Sequence, residues 1–198
     1  MADHRLTTPV TEADVRRLRA GDSVTLDGVI FGLRDATQIR MFDEGRRAPV
    51  DMTGGICLHT APSVRKVGAR YEPVIVGTTT STRMDRFTPG LIKDYGVRGV
   101  IGKGGLLAGS VKAMREYGAC YLAIVGGAAA LETTQIEAIE AVYWEDLMPE
   151  CLWQFRVRGL GPLTVAIDAH GNDLYADVDR EARSRLPAIY KSLGVDGL

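Results

Sequence analysis

The segment VRGVIGKGGLLAGSVKAMREYGACYLAIV, residues 97–125, indicates the fold class of this chain. Its first apolar run, Val97 to Ile101, and its last, Ala119 to Val125, have the composition and length of buried strands. The residues between them, Leu107 to Tyr117, have helical spacing. Strands that alternate with helices are typical of α/β proteins, so this segment predicts a sheet with helices packed outside it.

The same alternation extends over most of the chain, and it favours mixed sheets with flanking helices. The further predicted strands are Val24 to Phe31 with a turn or bulge at Asp27-Gly28, Ile56 to Leu58, Val74 to Val76, Ile136 to Val142, Leu152 to Val157 and Leu163 to Ile167. The further predicted helices are a short one from Thr11 to Gly21, Arg34 to Met41, Thr88 to Asp94, and Ala176 to Leu193, the last interrupted or bent at Pro187.

The length and charge of the chain limit the classes of function. With 198 residues it can bury a full hydrophobic core, and we expect a single domain over residues 1–198. Lys and Arg number 24 against 25 Asp and Glu, a balance that disfavours nucleic acid or an anionic membrane as a partner. No apolar stretch approaches the roughly 20 residues that cross a bilayer, and no signal-peptide core is present, so we expect a cytoplasmic location.

The chain has three cysteines, Cys57, Cys120 and Cys151, which lie far apart between apolar neighbours. Their odd number and wide spacing indicate neither a disulfide framework nor a CxxC metal site. We therefore interpret them as small buried thiols and expect no metal ligands among them.

A polar segment follows the apolar run Val74 to Val76. It consists of Gly77, five consecutive hydroxyl residues from Thr78 to Thr82, and Arg83. Hydroxyl and guanidinium groups can hold a carboxylate or phosphate through charge-assisted hydrogen bonds, each worth about 1.5 to 3 kcal/mol. An ST-turn or a helix cap would use one or two of these hydroxyls, and both interpretations stay open on this pattern alone.

Other polar side chains lie at the ends of apolar runs. Lys103 lies among glycines whose N–H groups could bind an anion, but a Walker A loop would place Ser or Thr after the lysine. Arg34 lies at a strand-to-helix junction and His59 follows another apolar run; taken singly, they are typical of a surface ion pair and a structural histidine. The segment Asp168 to Asp173 could hold an acid–base pair or form an ordinary turn.

Taken in order, these segments resemble the β subunit of the iron–sulfur hydro-lyases, the family of class I fumarate hydratase and L(+)-tartrate dehydratase. The resemblance covers nearly the whole chain. It is carried by Leu6-Thr7-Thr8-Pro9, Ala20-Gly21-Asp22, Arg34-Asp35-Ala36, His59, Pro62, Val64-Arg65-Lys66, the threonine-rich turn, Gly102-Lys103-Gly104-Gly105, Gly126-Gly127-Ala128-Ala129-Ala130 and Asp168 to Leu174.

The resemblance implies a swivelling β/β/α fold and a larger α subunit that carries a [4Fe–4S] cluster, so this chain itself is expected to bind no cofactor. In such enzymes an iron acts as a Lewis acid while the β part orients a dicarboxylate substrate. Matched motif by motif, the resemblance implies that Arg34, Arg83 and Lys103 are the cations that bind the substrate carboxylates. The resemblance implies that the hydroxyl of Thr79 takes part in proton transfer at the substrate carbon, with Thr80 the candidate if the register shifts by one.

Two departures from the family pattern lie beside the expected pocket. Thr78 stands where a proline usually precedes the paired threonines, and His59-Thr60-Ala61-Pro62 replaces His-x-Gly-Pro. We keep His59 as a candidate substrate-binding residue. The Thr-Thr-Ser-x-Arg-Met form and Val64-Arg65-Lys66 resemble tartrate dehydratases more than fumarases, so the expected substrate is L-tartrate or fumarate and malate. The alternatives are a non-catalytic carboxylate-binding assembly module and, with less support, a self-contained phosphate-binding enzyme.

Overall fold

The computed structural model describes residues 1–195, without the side chains of residues 128–130. Within this range the strands are β1 Asp3–Thr7, β2 Ser23–Leu33, β3 Ile56–His59, β4 Ser63–Val67, β5 Arg70–Ile75, β6 Gly99–Gly102, β7 Cys120–Ala123, β8 Ile136–Tyr143 and β9 Leu152–Ile167. The α-helices are α1 Glu12–Arg17, α2 Asp35–Phe42, α3 Thr88–Tyr95, α4 Ala108–Tyr117, α5 Ala129–Thr134 and α6 Leu174–Ser192. Short 3₁₀ helices cover Ser81–Phe87, Gly126–Ala128 and Glu145–Leu147.

The main sheet has the strand order β1-β2-β3-β6-β7-β9-β8, and an additional pairing of β2 with β9 closes five of its strands into a barrel. In this barrel β2, β3, β6 and β7 are parallel to one another, whereas β9 is antiparallel to β2 and β7. The hairpin of β4 and β5 forms a separate two-stranded sheet. The predicted α/β class with mixed sheets and flanking helices is therefore confirmed.

Strand β9 closes the barrel because it is long enough to pair with β2, β7 and β8. The prediction of two strands here, Leu152 to Val157 and Leu163 to Ile167, is wrong. The intervening Gly159-Leu160-Gly161-Pro162 does not end the strand; both of its glycines have positive φ, and its leucine is buried opposite Leu26. The ladder shifts register on both sides of Leu26, so these residues bend one continuous strand around the barrel.

The apolar run Val74 to Val76 is a strand as far as Ile75, and this strand lies in the separate two-stranded sheet and not in the main sheet. Val74 and Ile75 belong to β5, in the exposed hairpin, and these residues are 53% and 49% exposed. Val76 follows the end of the strand and is completely buried, and its N–H donates to the hydroxyl of Thr133 at 2.8 Å. The polar segment is therefore entered from a surface hairpin.

The other predicted elements agree with the structure to within a few residues. The hydroxyl of Thr11 and the carboxylate of Asp14 form a capping box at the start of α1. Helix α6 is capped by Asp173 and continues through Pro187, so the predicted interruption is absent from the described helix. Among residues 1–195 no helix combines the length and the apolar character needed to cross a membrane.

The barrel surrounds a core in which Trp153 and Phe155 stack with their ring centroids 6.1 Å apart. Because β2, β3, β6 and β7 are parallel, their carboxyl ends meet at one edge of the barrel. The residues at that edge are Arg34 after β2, His59 at the end of β3, and Lys103 after β6. The carboxyl edge of parallel strands is the usual place for ligands in α/β proteins, so the fold gathers the predicted residues where a site is expected.

Candidate functional site

The residues Thr78–Ser81, which we call the threonine segment, cross the carboxyl edge of the barrel. Thr78 forms an antiparallel bridge with Thr60, just beyond β3, and Thr80 forms a parallel bridge with Lys103, just beyond β6. The segment therefore spans the gap between the ends of two core strands. This placement fixes its backbone at the mouth of the barrel.

Backbone hydrogen bonds hold the segment in this position. The N–H of Thr79 donates to the carbonyl of His59 at 2.8 Å, and the N–H of Ser81 donates to the carbonyl of Lys103 at 2.8 Å. The hydroxyl of Thr78 also donates to the His59 carbonyl, at 3.1 Å. The hydroxyl of Thr78 thus serves a structural role by bonding to the backbone, while the neighbouring hydroxyls make other contacts.

Thr79 lies beside a cluster of two arginines and a carboxylate. The Oδ2 atom of Asp35 accepts hydrogen bonds from Nε of Arg34 at 3.1 Å and from Nη2 of Arg83 at 3.0 Å. The same Nη2 atom donates to Oγ1 of Thr79 at 3.2 Å. Arg34 also forms an ion pair with Oε1 of Glu150 at 3.3 Å. The structure therefore joins Arg34 to Arg83 through Asp35, and Arg83 in turn to Thr79.

Asp35 is ionised within this cluster. Burial works against its charge, but the hydrogen bonds and positive charges of Arg83 and Arg34 outweigh burial and hold its pKa below the usual range. Arg83 is 47% exposed, and its Nε and Nη1 have no acceptor among residues 1–195. Arg83 can therefore keep its hydrogen bond to Asp35 and still offer N–H groups to an incoming carboxylate.

His59 lies beneath the threonine segment in a buried polar chain. Its Nδ1 atom lies 2.9 Å from Oγ of Ser81, and the hydroxyl of Tyr121 donates to the same Oγ at 3.0 Å. All three residues are completely buried. Gly102 makes room for this chain, since a Cβ at that position would collide with the Ser81 hydroxyl.

Burial lowers the pKa of His59 to about 3, an effect that the positive charge of Arg83 reinforces and the negative charge of Asp35 opposes. The imidazole is therefore neutral at physiological pH. Its Nε2 atom is buried and has no hydrogen-bond partner within the described part of the chain. An unpaired buried ring nitrogen is costly, so it marks a position where a ligand atom would be favourable.

Lys103 is half-buried at the end of β6, and its amine lies against the backbone of Gly126. A Cβ at position 126 would come within 2.7 Å of Nζ, so a larger residue there would displace the lysine side chain from this position. The carboxyl group of Glu132, on α5, is the nearby group of opposite charge: Lys103 lowers its pKa, while burial raises that pKa to about 7. In the described ranges the Lys103 amine forms no hydrogen bond or ion pair with another residue, although the backbone carbonyl of Lys103 accepts the N–H of Ser81.

The two candidate hydroxyls have different surroundings. Thr79 contacts Arg83, as described above, whereas the methyl group of Thr80 packs on the glycine loop, where a Cβ on Gly104 would lie 2.9 Å from it. Thr80 begins the 3₁₀ helix Ser81–Phe87 without a side-chain capping bond. The arginine cluster therefore faces Thr79.

Several groups at this site were not predicted from the sequence. In the sequence, Asp35 is only one residue of the motif Arg34-Asp35-Ala36, and Ser81 is only one hydroxyl of a run. Tyr121 and Glu132 carried no signal, because an apolar strand explains the tyrosine and a helical position explains the glutamate. Their roles depend on which side chains the barrel brings together.

The Asp168 segment is a turn, as one of its two interpretations proposed. The Asp168 carboxylate accepts the backbone N–H groups of Ala20, His170 and Asn172 at 2.9 to 3.1 Å. These bonds lower its pKa against the effect of burial. The carboxylate is thus fully used in holding the loop after β9.

The three cysteines are free thiols, and Cys57 and Cys120 are completely buried, where burial raises their pKa values. Buried, protonated and scattered thiols do not suit a cluster that needs several converging thiolates. In the part of the chain that the structure describes, no group of His, Cys, Asp and Glu side chains is arranged to hold a metal ion.

The fold and the site define a class of protein: an α/β barrel whose carboxyl edge presents hydroxyl and cationic side chains suited to a small anion. Comparison with known proteins gives the family. The model of the family described as Fumarase C-terminus matches residues 2–178.

Similar proteins include the L(+)-tartrate dehydratase subunit beta of Escherichia coli strain K12, which is 41% identical over 173 residues, covering 87% of this chain and 86% of that subunit. A putative L(+)-tartrate dehydratase subunit beta of Methanocaldococcus jannaschii is 35% identical over 182 residues, covering 89% of this chain and 93% of the relative. A putative class I fumarate hydratase of Geobacillus stearothermophilus is 36% identical over 183 residues, covering 91% of this chain but 35% of that longer protein. The chain therefore belongs to the fumarase C-terminal family, as a β subunit of the class I fumarate hydratase and L(+)-tartrate dehydratase type, which confirms the resemblance.

Proposed function

We propose that this chain binds and orients a small dicarboxylate in a hydro-lyase active site that it shares with an α subunit. The reaction would be the reversible addition or removal of water on L-tartrate or on fumarate and malate. The observation that carries the proposal is the bond from Arg83 to the hydroxyl of Thr79, together with the link from Arg83 through Asp35 to Arg34. A reactive hydroxyl and two guanidinium groups thus share one edge of the barrel. The names of the two β-subunit relatives favour L-tartrate.

The cations would bind the two carboxylates of the substrate. Arg83 is half-exposed with unused N–H groups, Arg34 lies across Asp35 from it, and Lys103 presents an ammonium group from the neighbouring strand. Each charge-assisted hydrogen bond contributes about 1.5 to 3 kcal/mol, and a guanidinium group can grip a carboxylate at two points. Such a grip fixes the substrate carbon relative to the threonine segment.

Thr79 would move the proton at that carbon. A free threonine hydroxyl is a weak base, so the role needs a group that stabilises negative charge on its oxygen. The N–H of Arg83 donates to this oxygen at 3.2 Å and supplies that stabilisation. We assign the role to Thr79 and not to Thr80, whose methyl group packs on Gly104. The residue that accepts the proton from Thr79 would lie on the α subunit.

His59 would contribute a neutral hydrogen-bond donor. If Tyr121 donates to Ser81 and Ser81 donates to Nδ1, the single ring hydrogen of the neutral imidazole is on Nε2. That N–H has no acceptor among residues 1–195. A substrate oxygen would satisfy it without adding a charge to the site.

The α subunit would hold the [4Fe–4S] cluster, because the cysteines of this chain do not suit one. When bound there, the cluster would supply Lewis-acid chemistry at the substrate. We also propose that residues 1–198 form one domain of the swivelling β/β/α type, working in the cytoplasm as part of a hetero-oligomer. All chemistry assigned above to this chain is binding, orientation and proton transfer by its own side chains.

A substrate panel on the anaerobically reconstituted complex with the cognate α subunit tests this function. We expect turnover of L-tartrate, or of fumarate and malate, by the complex and none by either subunit alone. Arg83→Ala should raise KM at least about tenfold, since it removes one carboxylate contact worth more than about 1.4 kcal/mol.

Two results would count against the proposal. Turnover by this chain alone without iron would rule out a shared site, and unchanged kinetics of R83A would remove Arg83 from it. Binding of dicarboxylates by a complex that never turns them over would support the non-catalytic assembly module instead.

A further inference from the structure

Glu132 is a buried carboxyl group that the proposed mechanism does not use. It lies on α5, directly after the glycines at the end of β7, and is 3% exposed. Neither of its carboxyl oxygens has a hydrogen-bond partner in the described ranges of the chain. Carboxyl groups are rarely buried without a partner, because an ionised carboxylate loses its hydration there. Its placement therefore needs an explanation.

Burial raises the pKa of Glu132, and the positive charge of Lys103 lowers it. The ammonium of Lys103 lies against Gly126, six residues before Glu132, and so occupies the space between the end of β6 and the loop that leads into α5. Helix α5 packs against β5 and β8. The charged and titratable side chains of those strands are engaged elsewhere or exposed: Glu72 with Arg65, Tyr71 with Glu145, Glu137 with Arg158, Glu140 with Arg156, Tyr143 with Gln154, and Arg70 at the surface.

We propose that Glu132 is a positioning residue for Lys103 that couples dicarboxylate binding to the uptake of a proton. This inference rests on the proposed function, since it takes Lys103 as a carboxylate-binding cation. As a neutral acid, Glu132 leaves the ammonium charge of Lys103 available to the substrate. As a carboxylate, it would neutralise Lys103 and repel the substrate.

Conversely, binding of the dicarboxylate favours the protonation of Glu132. A dicarboxylate bound at Lys103 adds negative charge near Glu132 and takes over the ammonium that stabilises its ionised form. Both effects favour the protonated acid, so binding near neutral pH should draw a proton from the solvent. Burial already raises the pKa of Glu132 to about 7, which places the change in the neutral range.

The test is the pH dependence of KM for L-tartrate and for malate, measured with the reconstituted complex. For a single group that must be protonated and titrates near pH 7, KM should rise about tenfold between pH 6 and pH 8. Glu132→Gln keeps the shape and removes the ionisation, so its KM should stay low across this range. Glu137→Gln, at an exposed residue of β8 paired with Arg158, is the matched control and should keep the wild-type rise.

Calorimetry in two buffers of different ionisation enthalpy gives a second readout that needs no variant. We expect the wild-type complex to take up a fraction of one proton per dicarboxylate bound at pH 7, and the E132Q complex to take up none. Wild-type binding without proton uptake, or a full KM rise in E132Q, would overturn the role of Glu132 while leaving the proposed function intact. A complex that neither binds nor turns over any dicarboxylate would overturn both.

Discussion

His59 and Glu132 show how burial acts on single residues of opposite charge type. Burial disfavours the charged form of each, so it lowers the pKa of His59 to about 3 and raises that of Glu132 to about 7. Both side chains are then neutral over part of the physiological range. Because the unfolded chain titrates them normally, each makes stability depend on pH, with opposite signs.

For His59 the unfolded chain binds a proton below pH 6.5, whereas the folded chain does not until about pH 3. The stability that this residue contributes is present above pH 6.5 and is lost as the pH falls through that window. We expect His59→Gln to flatten the loss of unfolding free energy between pH 6.5 and pH 4, by up to several kcal/mol. Urea unfolding, monitored by circular dichroism at a series of pH values, measures this pH dependence. Equal slopes of unfolding free energy against pH for the wild type and H59Q would contradict the assigned burial.

For Glu132 the folded chain keeps a proton up to about pH 7, whereas the unfolded chain releases it near 4.5. Stability is therefore full below pH 4.5 and falls as the pH rises to 7. We expect Glu132→Gln to raise the unfolding free energy at pH 8 by about 1 to 3 kcal/mol and to change it little at pH 5. The same titration with Glu137→Gln should match the wild type; a stabilisation by E132Q that is the same at both pH values would contradict the ionisation.

The sequence was informative about site residues whose type and motif spacing carry the chemistry. The sequence predicts all of Arg34, Arg83, Lys103, Thr79 and His59 as site residues, and in the structure they lie along one edge of the barrel. The sequence could not reveal that Asp35 bridges two arginines or that the carboxyl group of Glu132 is buried without a partner in the described ranges. Whether a carboxylate caps a helix, joins two arginines or lies buried is decided by neighbours that are distant in sequence.

At the scale of elements, the turn after β7 determines where Lys103 can lie. A Cβ on Gly126 would come within 2.7 Å of Nζ of Lys103, whereas a Cβ on Gly127 would meet nothing within 4 Å. Alanine substitutions at these two adjacent glycines therefore make a test variant and its matched control. Neither glycine has a φ in the left-handed region, so alanine is conformationally acceptable at both.

We expect Gly126→Ala to displace the Lys103 amine and to raise KM for the dicarboxylate about tenfold, the loss of roughly one charge-assisted contact. Gly127→Ala should stay within about twofold of the wild type, since surface substitutions away from such contacts have small effects. Steady-state kinetics of the two reconstituted variants measure this difference. Equal KM values for the Gly126→Ala and Gly127→Ala complexes would show that the position of Lys103 does not affect dicarboxylate binding.

The elements that the sequence mispredicted share a physical cause. Gly159-Leu160-Gly161-Pro162 contains the residues that usually end strands, yet β9 continues through them because the barrel needs a strongly bent strand there. Val74 to Val76 has the composition of a core strand, yet part of it belongs to an exposed hairpin. Local composition sets the tendency to form a strand, whereas tertiary pairing decides where the strand ends and what it packs against.

At the scale of the whole molecule, barrel closure is what creates the site. The pairing of β2 with β9 brings together residues more than 120 positions apart, and it fixes the common edge at which the threonine segment lies between β3 and β6. The alternation of strands and helices predicted the α/β class, but pairing between strands so distant in sequence leaves no local pattern. The proposed division of the site between two subunits is supported by the names of the β-subunit relatives.

We propose that Thr79, polarised by Arg83, moves the proton in a site completed by the α subunit. The most direct measurement compares kcat of reconstituted complexes carrying Thr79→Val, Thr79→Ser and Thr80→Val. We predict that T79V lowers kcat at least about 100-fold with little change in KM, as expected for loss of a proton-transfer group, while T79S and T80V keep most of the activity. Wild-type turnover by T79V, or a loss in T80V as large as in T79V, would contradict the account.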